Sequence, residues 1–441
     1  MQKWHNVILV MVAMLGLVWL WPRPAFAHAG LVRSEPPDLC TALASPRVLP
    51  PATNCNQGSL VAEPPPAVHL WFSEPVQTVR HSLTVIAPSG QQVELGAIQN
   101  DGSELSIAVN AAEEGTYQVN WQVISEDTHP VVGHFAFSVG HTSAVAQASN
   151  FAPQIGAVSA LGLVLQVAGR WLHFLGYALA FGPLIFNVAV LRPLLLAQFE
   201  TVRAKMWRLC NLGILLLLLS EPLALLGQTS SLGPAQLLDL DTAGDILSSS
   251  FGRVLAQRLG AAVLLWVLLG SIRQGSAWAN KIALGLGLVL AIVDGQASHA
   301  VSSGPLIVGL AANTIHLVAM GIWVGGLLAL LTIWPVTALV NHHLELTQRF
   351  GRVAAVCLLW LIATGSIMSW LHLGQTSDLF NTDYGKTILV KLVAVLGAVG
   401  LAGYILLKPT SKRPYWWRVE IMALLLIIGL AALLVSLPPP A

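Results

Sequence analysis

Residues 117–139 read YQVNWQVISEDTHPVVGHFAFSV and carry the clearest secondary-structure signal of the N-terminal third of the chain. Apolar side chains occupy alternate positions on both sides of a polar centre, at Tyr117, Val119, Trp121, Val123, Phe135, Phe137 and Val139. The same alternation occurs earlier at Val68, Leu70 and Phe72. A period of two indicates half-buried strands, and the Pro, Gly, Ser and Asn clusters between the runs indicate turns. The pattern therefore predicts an all-β immunoglobulin-like sandwich over residues 28–145.

The composition of the whole chain indicates a second domain in a different solvent. Its 441 residues are 55% hydrophobic and only 10% charged, whereas soluble globular chains have about 25% charged residues. The net charge of +1 argues against a nucleic-acid-binding protein, which needs a basic excess. Long apolar runs begin only after residue 150. We therefore predict a linker over 146–167 and an all-α membrane domain of about eight helices over 168–441.

The N-terminus has the three parts of a secretory signal. A basic residue precedes an apolar run over 7–20, and Ala25-Phe26-Ala27 supplies the small-x-small pattern of a cleavage site. We predict a signal peptide over 1–27, so that the mature chain begins at His28. The alternative is an uncleaved anchor helix, although the apolar run is shorter than the ~20 residues that a full span needs.

The charges between the apolar segments indicate the orientation of the predicted helices. Segments of membrane length lie near 168–191, 207–227, 254–272, 281–297, 306–335, 352–372, 387–407 and 419–437. Lys and Arg concentrate in the connections after the first, third, fifth and seventh segments, and the positive-inside rule makes these connections cytoplasmic. The β domain then lies outside, in agreement with the signal peptide. We predict a multi-pass protein of the plasma (inner) membrane whose N-terminal domain is in the periplasm or extracytoplasmic space.

Three residues of the exported domain form the sharpest candidate metal site. The free amine and Nδ1 of an N-terminal His28 can close a chelate ring on one ion. Asp127 and His129 are two positions apart on an extended chain and therefore point to the same side. Three nitrogens and one carboxylate suit Cu(II), which prefers N and O ligands in tetragonal geometry. The alternative is that Asp127 and His129 form only a turn or a hydrogen-bonded pair.

The cysteines and methionines indicate two further properties of the exported β domain. Cys40 and Cys55 lie in a Pro-rich stretch of it. An oxidising compartment favours a disulfide between them, and free thiols or soft-metal ligation are the alternatives. All seven methionines lie outside the mature β domain, at Met1, Met11, Met14, Met206, Met320, Met368 and Met422. A thioether Cu(I) site in the β domain is therefore excluded.

A few ionisable residues interrupt the apolar segments of the second domain. Each would be costly against lipid, so each is expected to face a cavity or a partner. We predict that His173, His299 and His316 form a copper relay, which would carry Cu(I) if reduction precedes entry. In the alternative, these histidines only pair with Glu221 or Asp294 or hydrogen-bond across helices. Paired histidines can also be axial ligands of haem, which would make the domain a cytochrome-like electron carrier or a metalloreductase.

The motifs of both halves resemble a known pair of copper proteins. The first half resembles the CopC copper-resistance domain through His28-Ala29, Leu70-Trp71-Phe72-Ser73-Glu74-Pro75 and the alternation that contains Asp127-x-His129-Pro130-Val131-x-Gly133. The second half resembles its membrane partner CopD through Arg170-x-x-His173, Ser298-His299-Ala300, His316 followed by Trp323-Val324-Gly325-Gly326, Thr364-Gly365 and Tyr384-Gly385-Lys386. The glycines after Trp323 are also expected to let two helices approach closely.

This resemblance implies a CopC–CopD fusion that captures Cu(II) outside the cell and brings copper into it. It places His28, Asp127 and His129 at the positions of the family's copper ligands. The implied partners are the copper ion, the lipid bilayer and a copper chaperone or reductase. We expect no enzymatic activity, and the chain has no Gly-x-x-x-x-Gly-Lys-Ser/Thr loop for ATP hydrolysis. The competing functions are membrane redox chemistry, oxygen activation at an N-terminal copper centre, and sequestration or sensing with the helices as an anchor.

Overall fold

The computed structural model describes residues 29–37, 59–125, 130–143, 159–232, 237–296, 306–373, 375–408 and 412–437. The packing divides these residues between two compact units. One unit contains the described residues of Phe26–Gly162 together with those of Gln228–Gly252. The other contains Leu163–Gly227 and the described residues of Arg253–Ala441. The predicted signal peptide, 1–27, lies outside the described residues.

The first unit is built on eight strands in two sheets. The strands are β1 Leu31–Glu35, β2 Ser59–Val61, β3 Ala67–Phe72, β4 Val76–Ile86, β5 Glu94–Asp101, β6 Glu104–Val109, β7 Gly115–Ser125 and β8 Pro130–Val139. One sheet has the order β1-β3-β6-β5 and the other the order β2-β8-β7-β4. The pairings are antiparallel, except that β2 runs parallel to β8. A three-residue strand is too short to reveal its direction in the sequence pattern.

The alternating apolar residues form the core between the two sheets. Leu70 of β3 and Val119 of β7 have no exposed surface. Tyr117 stacks on Phe137 with 5.0 Å between ring centroids, and its hydroxyl donates to the carbonyl of Glu113 at 2.8 Å. A tyrosine bound back to the backbone just upstream is typical of immunoglobulin-like sandwiches. The predicted all-β sandwich is confirmed.

Gly133 is required by the tryptophan on the neighbouring strand. It lies opposite Trp121 in the β7–β8 pair, and a Cβ on Gly133 would lie 2.5 Å from Cε2 of that indole. Trp121 also contacts Phe72 edge to face, with 5.2 Å between ring centroids. Because Phe72 belongs to the other sheet, the indole joins the two layers. Trp121 is therefore one of the core side chains that hold β7 and β8, the strands on either side of residues 126–129, against the other sheet.

The rest of the described chain is helical. The α-helices are α1 Ala160–Phe186, α2 Glu200–Ser231, α3 Leu240–Ser248, α4 Ser250–Arg273, α5 Ala277–Gln296, α6 Leu306–Ile333, α7 His343–His372, α8 Asp378–Asn381, α9 Asp383–Leu406 and α10 Arg413–Ser436. Among the described residues, eight helical segments are long and apolar enough to cross a membrane, and α3 and α8 are not among them. The predicted number of membrane helices is confirmed.

The first membrane-length helix begins earlier than hydropathy indicated. α1 starts at Ala160, whereas the first predicted membrane segment begins near residue 168. Gln166, in the early part of the helix, is only 4% exposed. It is covered by α2, where a Cβ on Gly227 would lie 2.8 Å from the Gln166 backbone nitrogen. A polar residue that lowers hydropathy is therefore buried by helix packing, and the helix continues through it.

The connection between α2 and α4 belongs to the compact unit of the sandwich. The sequence predicts it as part of the membrane domain, 168–441. It contains the short helix α3, which packs against β4. Ile246 of α3 has no exposed surface, and the Ser250 N–H donates to Oε1 of Gln77 in β4 at 2.8 Å. A nine-residue helix carries too weak a pattern to reveal what it packs on, so only the structure shows this grouping.

Glycines bring α1 and α6 into close contact, as the motif after Trp323 predicted. A Cβ on Gly182 of α1 would lie 2.6 Å from the carbonyl oxygen of Gly321 and 2.6 Å from Cα of Gly325. Both neighbours are backbone atoms of α6 and cannot move aside as a side chain would. Small residues at such a crossing allow the close helix packing on which association in a membrane depends.

We expect Gly182→Ala to destabilise the membrane unit, because the new methyl group forces α1 and α6 apart. Gly400→Ala in α9 is the matched control, since no neighbouring atom lies within 4 Å of the position its Cβ would take. Both changes raise helix propensity by about 1 kcal/mol. The thermal unfolding midpoint in detergent should fall for Gly182→Ala and should hold or rise for Gly400→Ala. Equal midpoints for the two variants would contradict the close approach.

Candidate metal site

Residues 126–129, which carry two of the predicted copper ligands, connect β7 to β8 and lie outside the described residues. The last residue pair of the hairpin is Ile124 with Pro130. Val76, the first residue of β4, pairs with Ser125. The strand ends that flank 126–129 therefore lie where β4 begins.

The described chain starts at this same end of the sandwich. Ala29 is only 1% exposed and belongs to the core. The Gly30 N–H donates to Oγ of Ser73 at 2.9 Å, and the Ser73 N–H donates to the Gly30 carbonyl at 2.9 Å. Ser73 lies in the short corner between β3 and β4. Ala29, the end of β7 and the start of β8 thus lie at one end of the sandwich. The predicted ligands themselves, His28, Asp127 and His129, lie outside the described residues.

Another histidine of the sandwich is engaged with protein groups. Nδ1 of His69 lies 3.0 Å from Oε1 of Glu104, and the ring stacks on Trp71. Within the described ranges, no three His, Cys, Asp or Glu side chains are grouped so that they could hold a metal ion. That finding does not extend to the three predicted ligands or to the predicted disulfide, because Cys40 and Cys55 also lie outside the described residues.

A buried ion cluster joins four helices of the membrane unit. Nδ1 of His173 in α1 lies 3.0 Å from Oε1 of Glu221 in α2, and Nε2 lies 3.0 Å from Oδ2 of Asp294 in α5. Nε of Arg258 in α4 donates to Oδ1 of Asp294 at 2.7 Å. The His173, Glu221 and Asp294 side chains are at most 4% exposed. Of the alternatives that the sequence left open, the pairing of His173 with acidic residues is observed, and it involves both carboxylates.

Hydrogen-bond chemistry indicates the charge state of this cluster. An ionised carboxylate only accepts hydrogen bonds, so two ionised partners require His173 to donate from both nitrogens, as imidazolium. Two carboxylates, one guanidinium and one imidazolium sum to zero charge, which is what the interior of a membrane protein favours. With both nitrogens donating, His173 offers no lone pair to a metal. Copper would have to replace one of these protons to reach the ring.

His316 in α6 has a different environment. Oγ1 of Thr364 in α7 donates to the Trp360 carbonyl at 2.6 Å, so it accepts from Nδ1 of His316 at 2.9 Å. In the neutral ring this leaves the lone pair on Nε2, and Nε2 has no hydrogen bond to any residue that the structure describes. His316 is thus held by one nitrogen and free to bind with the other. His299, the third predicted relay residue, lies outside the described residues.

The structure adds two partners that sequence reasoning did not assign. Arg258 neutralises the acidic side of the His173 cluster, and its only sequence signal is a charge inside an apolar segment. Thr364 orients His316, and its signal is the Thr364-Gly365 motif. Gly365 lies at the same contact, and a Cβ there would be at an ordinary van der Waals distance of 3.5 Å from Cε1 of His316.

Comparison with protein families gives three matches along the chain. The CopC domain model matches residues 52–140. The model of the copper resistance protein D-like N-terminal domain matches 158–308, and that of copper resistance protein D matches 344–434. The first match falls on the sandwich and the other two on the membrane helices.

Individual relatives agree with these matches. The copper transport protein CutJ of Bacillus subtilis (strain 168) is 25% identical over 487 residues, covering 100% of this chain and 78% of CutJ. Protein YobA of Escherichia coli (strain K12) is 33% identical over 109 residues, covering 23% of this chain and 88% of YobA. Copper resistance protein C of Xanthomonas campestris pv. juglandis is 32% identical over 124 residues, covering 26% of this chain and 82% of that protein.

The order of the matched families corresponds to the two kinds of structure in the chain. A β-sandwich of the CopC type precedes eight apolar helices of membrane length, and a copper transport protein aligns with the whole chain. The chain therefore belongs to the CopC–CopD copper-resistance family, with both domains in one polypeptide.

Proposed function

We propose that the chain captures Cu(II) outside the plasma membrane and delivers copper across that membrane into the cell, without catalysing a reaction. The main support is the geometry of one end of the sandwich. There the Gly30–Ser73 hydrogen bonds and the Val76–Ser125 pair bring the start of the described chain close to the end of β7. A donor site made by His28, Asp127 and His129 needs this arrangement of their neighbours.

The chemistry of the proposed ligands suits capture at neutral pH. An α-amine titrates near pKa ~7.7 and an imidazole near ~6.5, so protons compete only modestly with the metal. The amine nitrogen becomes available only after the signal peptide is removed. Copper binding is thereby linked to export, because an uncleaved chain has an amide nitrogen at this position.

For the membrane path we propose the relay of His173, His299 and His316. His316 supports this role because its Nδ1 is fixed by Thr364 and its Nε2 is left to bind. The cluster at His173 supports it through charge. Replacing one imidazolium proton by Cu(I) exchanges one positive charge for another, so the four groups stay neutral. Replacement by Cu(II) would leave an uncompensated charge in the membrane interior, which is costly.

Transport in the inward direction follows from the orientation that the sequence predicts. The signal peptide and the Lys and Arg distribution both place the sandwich outside. Loading on the outside makes the membrane unit the acceptor. The name of CutJ, a copper transport protein that aligns with the whole chain, supports transport as the activity.

The first test removes the N-terminal ligand. We expect His28→Ala in the full chain to lower Cu(II) affinity at least about 100-fold, because even outer-shell partners of metal ligands contribute 10–100-fold. His69→Ala is the control, since that imidazole pairs with Glu104. Copper titration followed by electron paramagnetic resonance measures both, and N-terminal sequencing establishes cleavage after Ala27. An unchanged Cu(II) affinity in His28→Ala would overturn the proposed site. So would an N-terminal sequence that still contains the predicted signal peptide.

The second test addresses the relay. His316→Gln keeps an amide that can donate to Thr364 but removes the metal-binding imidazole. We expect it to reduce cellular copper at limiting supply to the level of cells that lack the chain. His342→Gln is the control, because that histidine is partly exposed and faces Glu345 at 3.4 Å. Copper is measured by mass spectrometry and normalised to the amount of chain in the membrane. Equal accumulation in the two variants would exclude His316 from the path.

The third test addresses the charge balance on which a path through His173 depends. Asp294→Asn leaves Arg258 and His173 with Glu221 as their only acidic partner among the described residues. Breaking a buried ion network of this kind costs about 3–5 kcal/mol, so the unfolding midpoint in detergent should fall. Asp383→Asn removes an exposed charge that pairs with Lys386 at 3.5 Å and should change the midpoint little. A midpoint for Asp294→Asn as high as that of the control would contradict the network.

A further inference from the structure

A cavity of about 470 Å³ opens in the membrane unit where α1 ends, α2 begins and α4 turns into α5. Three arginines line it, Arg192 and Arg203 from the α1–α2 side and Arg273 from the end of α4. Its other polar lining is uncharged and includes Asn187, Gln198 and Gln274. The copper proposal makes no use of this cavity.

The positive charge of the cavity is only partly compensated. Arg203 pairs with Glu200, three residues earlier on α2. Arg192 and Arg273 form no ion pair with any residue that the structure describes. Guanidinium groups from two separate connections thus line one cavity with no acidic residue in its lining. Such a site is suited to an anionic ligand, because guanidinium groups bind phosphate oxygens in a bidentate manner.

The backbone around the cavity departs from regular helix. After α1 the chain forms a π-helical turn over Asn187–Leu191 and a 3-10 turn over Arg192–Leu194. Leu195 then adopts φ +57°, the only positive φ at a non-glycine residue that the structure describes. A left-handed leucine is strained, and such strain and π-turns recur at ligand sites. Arg192, which begins the 3-10 turn, lines the cavity.

The wall of the cavity is apolar. Leu184 of α1 and Val202 and Met206 of α2 are buried side chains that line it, and Trp207 lies at the same wall, partly exposed. Tryptophan is enriched where membrane helices meet the headgroup layer. A ligand that fits both parts of the cavity has an anionic head and an apolar tail.

We infer that this cavity binds the phosphate headgroup of an anionic membrane phospholipid, with Arg192 and Arg273 on the phosphate and the Leu184, Val202 and Met206 wall along the acyl chains. The position at the ends of membrane-length helices favours a lipid over a soluble phosphate, because lipid phosphates are concentrated at that level of a bilayer. The positive-inside rule assigns this end to the cytoplasmic leaflet. The site is independent of the copper ligands.

The test measures lipid retention by the full chain. The protein is incubated in detergent with phosphatidylglycerol or with phosphatidylcholine, and retained lipid is counted by native mass spectrometry. We expect a preference for phosphatidylglycerol that the Arg192→Gln/Arg273→Gln double variant weakens about 30-fold, since each basic residue near an anionic headgroup contributes roughly 5-fold. Arg352→Gln/Arg418→Gln removes the same charge from two exposed arginines outside the cavity and should retain the preference.

Two outcomes would overturn the inference. The first is an equal loss of phosphatidylglycerol in the two double variants, which would show a general charge effect. The second is displacement of the lipid by inorganic phosphate at equal concentration, which would show that the arginines bind free phosphate and the apolar wall contributes nothing. The thermal unfolding midpoint of each variant is measured in parallel. Because the substituted arginines are exposed, we expect both double variants to unfold at the wild-type midpoint.

Discussion

Charge neutrality around His173 is the constraint on which the membrane unit depends. Each of α1, α2, α4 and α5 contributes one ionisable side chain, and a single buried charge at a helix centre costs roughly 2.5–3.5 kcal/mol on insertion scales. The four groups are tolerable only together, as two carboxylates, one guanidinium and one imidazolium. The four helices must therefore meet at one level. The glycine contact of α1 with α6 then fixes a fifth helix to this group.

In the sandwich, apolar packing instead positions the segments that lie next to the proposed copper ligands. Trp121 fills the space above Gly133 and reaches Phe72 in the other sheet, which joins the β7–β8 hairpin to β3. Ser73 follows Phe72 directly and binds Gly30. The packing of one indole thus connects the hairpin that carries residues 126–129 with the segment that follows His28. An aromatic core contact and the two hydrogen bonds between Gly30 and Ser73, one of them to the serine hydroxyl, bring together chain segments that are far apart in sequence.

Features that follow from a strong local pattern could be predicted from the sequence. Features that form where segments distant in sequence meet could not. Alternation gave the strands around Leu70, Val119 and Phe137, and apolar runs gave eight membrane helices, because both signals come from neighbouring residues. The same patterns missed the direction of β2 and the grouping of α3 with the sandwich, since three and nine residues carry little periodicity. They also named Glu221 and Asp294 as partners of the histidines without showing that both meet the same imidazole. The roles of His28, Asp127 and His129 as copper ligands remain predictions from spacing and resemblance.

The donor groups of the two domains differ in a way that constrains the oxidation state of the cargo. The proposed outer site offers nitrogen and carboxylate ligands, which suit Cu(II), whereas the His173 cluster stays neutral only if a monovalent ion replaces a proton. On the proposed path, one electron must therefore reach each copper ion between the two sites. The two described cysteines, Cys210 and Cys357, are buried in separate apolar clusters, so they do not form a dithiol pair that could supply electrons. The proposed path thus requires a one-electron reductant that acts on copper at or after its release from the sandwich.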